Sequence, residues 1–125
     1  WTFKVVPDRE DLPVDGSLTL EDVSKGVGTV CIWEGSVDDA PATEMGWGIA
    51  TPFQRCRFAT KAITLLLEMA VESGRWGTVH VFTSTTNVPS NALCKSCGFV
   101  YQGEEKVDYD GRDLFTTHYT YETQR

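Results

Sequence analysis

The sequence predicts an α/β protein of mixed, α+β character: a twisted central sheet with antiparallel N-terminal strands, a β-α-β-α core and antiparallel strands to close. Three observations carry this. An amphipathic helix at 58–73 stands between two β-rich runs, 43–51 and 78–84, the spacing of a right-handed parallel crossover. A β-branched and aromatic run at 27–33 precedes that unit. Two further runs, 99–109 and 114–122, follow it around the turn dipeptide Asp110-Gly111. The predicted order is β, β, β, α, β, α, β, β.

Each element has its own warrant. Trp1 to Val6 alternates in character and reads as a short strand, and 7–26, rich in Asp, Pro and Gly, as a long surface connection. Val27 to Trp33 suits a central strand, joined by an acidic hairpin over Gly35 to Pro41 to the strand from Thr43 to Thr51, which Pro52 stops. In the helix, Ala59, Ala62, Ile63, Leu66, Leu67 and Ala70 recur at helical spacing, with Lys61, Thr64, Glu68 and Glu72 opposite. Gly74 supplies its C-terminal cap. Thr78 to Ser84 alternates cleanly. Asn87 then caps a short helix with Pro89 in its first turn and Gly98 at its end.

A chain of 125 residues is read as one domain spanning 1–125. An apolar share of 41% and a charged share of 23% place it with soluble globular proteins. No apolar run approaches the roughly 20 residues that cross a bilayer, so no membrane partner is expected. The start shows no signal-peptide pattern, and a cytoplasmic location is expected. Eighteen acidic against 11 basic residues give a formal charge of −7, which argues against nucleic acid and suits amine-bearing partners. Cys94-Lys-Ser-Cys97 has the CxxC form, but zinc needs two further ligands and His80 and His118 are far apart in sequence. No metal site is expected, and the four cysteines are read as buried free thiols.

Residues 52–62 are the most informative stretch, because a strand runs into a tight basic turn that opens a helix. A helix start leaves backbone N–H groups without internal partners and adds partial positive charge, so it suits phosphate. Arg55, Arg57 and Lys61 reverse the sign of the chain's overall charge there. The plainer alternative is a solvated, charged helix start.

With Gln54-Arg-Cys-Arg-Phe-Ala59 opening the first helix and Asn87-x-Pro-Ser-x-x-Leu-x-x-x-x-Gly-Phe99 spanning the second, the chain resembles the GNAT superfamily of acyl-CoA-dependent N-acyltransferases over about 43 to 122. The resemblance implies acetyl-CoA as acyl donor and an amine as acceptor. It assigns the cofactor to Ile49, Thr51, Gln54, Arg55, Cys56, Arg57, Phe58, Ala59, Asn87 and Ser90, with the pyrophosphate on the loop amides. It also implies that strands 43–51 and 78–84 splay apart to admit the pantetheine arm. Glu44 is the expected base, with Glu34 in reserve. Cys94 falls where many relatives carry an acidic tyrosine and is the candidate proton donor.

The chain departs from that pattern in three places. Arg57 replaces the glycine of the pyrophosphate loop, and its side chain either obstructs phosphate or adds a contact to it. Cys94 replaces the tyrosine. The strand and two helices that normally precede the segment resembled by Trp1 to Val6 are not seen. A fragment, a reduced domain, and a chain completed by a partner or a second copy all stay open; exposed Trp1, Phe3 and Val5 favour pairing. A degenerate, non-catalytic binding domain of the same fold is the alternative to an N-acetyltransferase. His80 and His118 are read as a hydrogen-bonded core or cleft histidine and a structural one.

Overall fold

The computed structural model describes residues 1–37, 39–54 and 56–124, and of Val107 and Tyr109 the backbone. Six strands form one sheet in the order β1-β2-β3-β4-β6-β5: β1 (Thr2–Val5), β2 (Gly28–Val37), β3 (Ala40–Ile49), β4 (Thr78–Ser84), β5 (Val100–Tyr109) and β6 (Arg112–Glu122). Every neighbouring pair is antiparallel except β3 and β4. The helices are α1 (Leu20–Val23), α2 (Phe58–Ser73) and α3 (Val88–Ser96). No helix among the described residues is long and apolar enough to cross a membrane.

Local signals set most boundaries. α2 starts and stops as its periodicity dictates, and Gly74 takes the left-handed conformation, φ 63°, that a helix C-cap favours. Asn87 caps α3 by accepting from the Ser90 amide at 3.2 Å, and Pro89 lies in the first turn, where a missing N–H costs nothing. Asp110 and Gly111 both have positive φ, 54° and 79°, which gives the last hairpin its tight turn. The first hairpin is longer than predicted. Pairing of β2 with β3 continues through Gly35–Ala42 to Val37–Ala40, so the acidic segment is largely strand.

Both long helices pack on one face of the sheet. There Ile63, Leu66, Leu67 and Ala70 of α2 and Cys94 of α3 close over Val30, Ile32, Met45, Val79, Val81 and Tyr119. Each large apolar side chain buried this way contributes about 1.5–3 kcal/mol, which binds α2 to the sheet far more strongly than helix propensity could. A second cluster corrects the expectation of a surface connection at 7–26. Val23, on the short helix α1 that Thr19 and Asp22 cap reciprocally, is fully buried against Val27 and Phe58. This bolts the connection to the first residue of α2.

Aromatic residues divide between interior and surface. Trp76, Phe99 and Tyr119 are buried, whereas Trp33 and Tyr101 are 41% and 56% exposed. Trp1 and Phe3 are each 37% exposed, and Trp1 meets Trp76 edge-on at 5.6 Å. Val5 is half-buried and touches both apolar clusters.

Candidate active site

The strands β3 and β4 pair at only two positions, Thr43 with Val79 and Glu44 with His80, and separate beyond them. β3 remains paired with β2 and β4 with β6 on their far sides, so the separation opens a wedge within an otherwise continuous sheet. Backbone groups of Met45 to Ile49 that would face β4 are left for another partner. The wedge leads into a cleft of about 470 Å³ walled by Trp47 and Ile49 of β3, the loop through Gln54 and Cys56, Ala59 and Thr60 of α2, and Asn87, Ser90 and Leu93 at α3.

At the head of this cleft α2 begins without a side-chain cap. The amides of Phe58, Ala59 and Thr60 precede the first intrahelical bond, which runs from Lys61 N to Arg57 O at 3.2 Å. They are donors at the positive end of a 16-residue helix. Arg57, the N-cap, adopts φ 65° and ψ 13°, the left-handed conformation for which glycine is favoured. Its exposed side chain lies at the rim of the cleft. Arginine therefore leaves the loop's backbone shape in place and adds a cation beside the amides.

Other predicted cofactor residues have more definite local roles. The Gln54 side chain donates to Ile49 O at 2.9 Å and ties the loop to the end of β3. The Cys56 thiol donates to Gln54 O at 3.6 Å. Asn87 is engaged with Ser90, both at the cleft, while Thr51 is exposed in a 3-10 turn away from it. Arg55 lies outside the described residues. Lys61 differs from expectation. Its ammonium pairs with Asp11 in an adjoining groove of about 600 Å³ between β1 and α2, which shares Arg57 and Phe58 with the cleft. The hydrogen bond with Lys61 holds the Asp11 carboxyl below its usual range and raises Lys61 in turn, so this cation is committed to the connection 7–26.

The expected proton donor is misplaced. Cys94 has no exposed surface, sits among core residues on α3, and is pushed up to about 12 by burial. A thiol so placed is a poor acid and does not line the cleft. Asn91, one turn earlier, ties this helix to β4 and β6. Its amide donates to Ser84 O at 3.1 Å and Asn87 O at 2.8 Å, and its oxygen accepts from Tyr119 Oη at 2.8 Å.

On the opposite face of the sheet, strand register places Trp33, Glu44 and His80 in one row, with Phe82 and His118 in the next. Two glycines shape the surface around Glu44. A Cβ at Gly35 would stand 1.8 Å from Glu44 Oε2, and one at Gly46 would stand 3.3 Å from the Trp33 ring. Glu34 instead accepts from Thr43 Oγ1 at 3.4 Å. His80 Nδ1 meets His118 Nε2 at 2.8 Å, and His118 Nδ1 meets Glu105 Oε1 at 3.1 Å. The rings stack, with Phe82 and His118 4.4 Å apart and His80 and His118 5.0 Å apart. The two histidines are 38 positions apart, and no local pattern announces their contact; it follows from the pairing of β4 with β6.

Comparison with known proteins agrees with this geometry. No curated protein sequence matches the chain. Among solved structures, the chain is similar to the ribosomal-protein-S5-alanine acetyltransferase from Vibrio fischeri, with TM-score 0.69 and 16% identity over 82% of this chain and 58% of that one. It is similar to the microcin C7 self-immunity acetyltransferase MccE, solved with acetyl-CoA and AMP, with TM-score 0.63 and 20% identity over 78% and 54%. It is also similar to yncA from Salmonella typhimurium, a putative acetyltransferase solved with acetyl-CoA, with TM-score 0.66 and 19% identity over 78% and 58%. The chain thus spans somewhat over half the length of each of these three proteins. The family described as acetyltransferase (GNAT) domain matches residues 10–100, most of the chain. With the mixed sheet, the wedge between its two parallel strands and the uncapped helix at its mouth, that match shows that the chain belongs to the GNAT acetyltransferase domain family.

Proposed function

We propose that this domain transfers an acetyl group from acetyl-CoA to an amine, a small molecule or the amino terminus of a protein. The observation that carries the proposal is the separation of β3 from β4 directly beyond Glu44 and His80, running into the α2 amides that precede the helix's first internal bond and have no hydrogen-bond partner among the described residues. The residues fit the donor. Three amides and the Arg57 guanidinium suit a diphosphate, and the freed edge of β3 suits an amide-bearing arm. Acetyl-CoA bound there supplies an activated acyl group. Two of the similar structures were solved with acetyl-CoA, which supports the choice of donor.

Glu44 lies at the point where the strands part, on the face away from the helices. We assign it to the acceptor, as charge partner of an ammonium. Trp33, half-exposed beside it, offers an aromatic face to the same cation. The free thiols suit a reducing, cytoplasmic compartment.

Calorimetric titration of acetyl-CoA into the protein, followed by thiol release with an amine panel, tests the proposal. Saturable binding and amine-dependent release are expected. Binding without turnover would favour a binding-only domain, and no binding at millimolar acetyl-CoA would remove the proposal.

A further inference from the structure

We propose that His80 accepts the proton of the acceptor amine and that His118 and Glu105 are positioning residues that hold it in the competent tautomer, an assignment that rests on the acyl-transfer reading above. With both rings neutral, the hydrogen bonds select one pair of tautomers. A carboxylate only accepts, so Glu105 takes the His118 Nδ1–H. In the neutral His118 ring, Nε2 then carries a lone pair and accepts from His80 Nδ1–H. The lone pair of His80 is thereby forced onto Nε2, which has no hydrogen-bond partner among the described residues.

Place and electrostatics agree with this role. His80 shares the last parallel pair with Glu44, so both stand where the wedge begins. The ring is held by stacking on His118 and, more loosely, on Phe82 at 6.4 Å. Burial first, and then neighbouring His118, keep His80 below its usual value of 6.5, while Glu44 on β3, Glu122 on β6 and Glu105 on β5 oppose them. The imidazole is therefore neutral at physiological pH. A neutral imidazole presents its lone pair to the amine, while Glu44 supplies the attracting charge.

The protons balance. An ammonium N–H bond breaks and an Nε2–H bond forms on His80, leaving an electron pair on the amine nitrogen. That pair forms the C–N bond as the C–S bond breaks. The second nitrogen proton goes to the departing sulfur, and His80 returns its own proton to water. While charged, the imidazolium is balanced by Glu44 and, through His118, by Glu105.

Three measurements on the whole chain decide this: acetyl-CoA binding, the pH profile of kcat/KM with spermidine and an alanine-initiated peptide, and the ¹⁵N spectrum of the histidine rings. For His80→Gln we expect unchanged acetyl-CoA affinity and kcat/KM lower by about 10²–10⁴-fold. The acid limb of the wild-type profile, with its midpoint below 6.5, should disappear. Glu105→Gln should move that limb to lower pH, because it removes a carboxylate that raises His80. A transferring wild type whose His80→Gln variant stays within about threefold overturns the assignment and leaves the acetyltransferase standing. A wild type that neither binds nor transfers removes both. A His80 ring protonated on Nε2 at neutral pH refutes the assignment whatever the activity.

Discussion

Replacing Arg57 by glycine should stabilise this protein, although it deletes a long side chain from its most cationic loop. Arg57 sits at φ 65° and ψ 13°, where an L-residue brings its Cβ against the following carbonyl at a cost of roughly 1–2 kcal/mol. Glycine has no such cost but loses about 0.5–1 kcal/mol more chain entropy on folding. The difference is a net gain of up to about 1.5 kcal/mol, centred on about 0.75, which for a domain of this size raises Tm by about 3 °C. Arg57 is exposed, and its side chain makes no hydrogen bond among the described residues, so little contact energy offsets the gain.

Calorimetric unfolding of the wild type, Arg57→Gly and Arg57→Ala separates strain from charge. Alanine keeps the Cβ and the strain, so its Tm should not rise. If Arg57→Gly melts at or below the wild type, or if Arg57→Ala gains as much, the left-handed backbone is not the source of the cost. Acetyl-CoA titration of the same proteins adds a second reading. Because the loop already has the backbone shape that glycine would allow, Arg57→Gly should not tighten binding. An increase of about tenfold, worth 1.4 kcal/mol, would show that the side chain obstructs the site.

Three further outcomes follow from the same geometry. Asn91→Ala should lower stability by about 1–3 kcal/mol, since the buried Tyr119 hydroxyl loses its acceptor; adding Tyr119→Phe should cost less than the two single changes summed, as read by urea unfolding. Gly35→Ala puts a Cβ 1.8 Å from Glu44 Oε2 and displaces that carboxylate, so amine-dependent kcat/KM should fall on the order of tenfold while stability changes by less than about 1 kcal/mol. Cys94, raised in the folded state from 9.0 to about 12, stays protonated on alkalisation while the unfolded chain ionises. Stability present below pH 9 should therefore decline by up to about 1.4 kcal/mol per pH unit between those values, and Cys94→Ala should flatten that limb in urea unfolding at stepped pH.

Where the sequence was legible, the signal was local. The span of α2, its terminating Gly74, the strand 78–84 and the Asn87 cap each depend on residues within a few positions of one another, and each lies where periodicity and capping chemistry put it. The splay of the two parallel strands was an implication of the family resemblance that those segments carry. Side-chain facing was less legible. A helical cysteine one position from a cleft residue reads equally well as donor or core, and only the tertiary packing that places Cys94 in the main buried cluster turns it inward. Lys61 resembled a third phosphate ligand until a carboxylate 50 positions away claimed it.

By itself the sequence determined the family, the order of elements and the helix mouth at 54–59, because periodicity, capping and turn chemistry act over a few residues. The tertiary structure alone decided that Val23 anchors that mouth, that Glu44 lies over Gly35, and that His80, His118 and Glu105 form one hydrogen-bonded line. The contacts of Glu44 and of the histidine line depend on strand register, and register is set by the whole sheet: a slip of one residue would turn a strand's side chains to the other face.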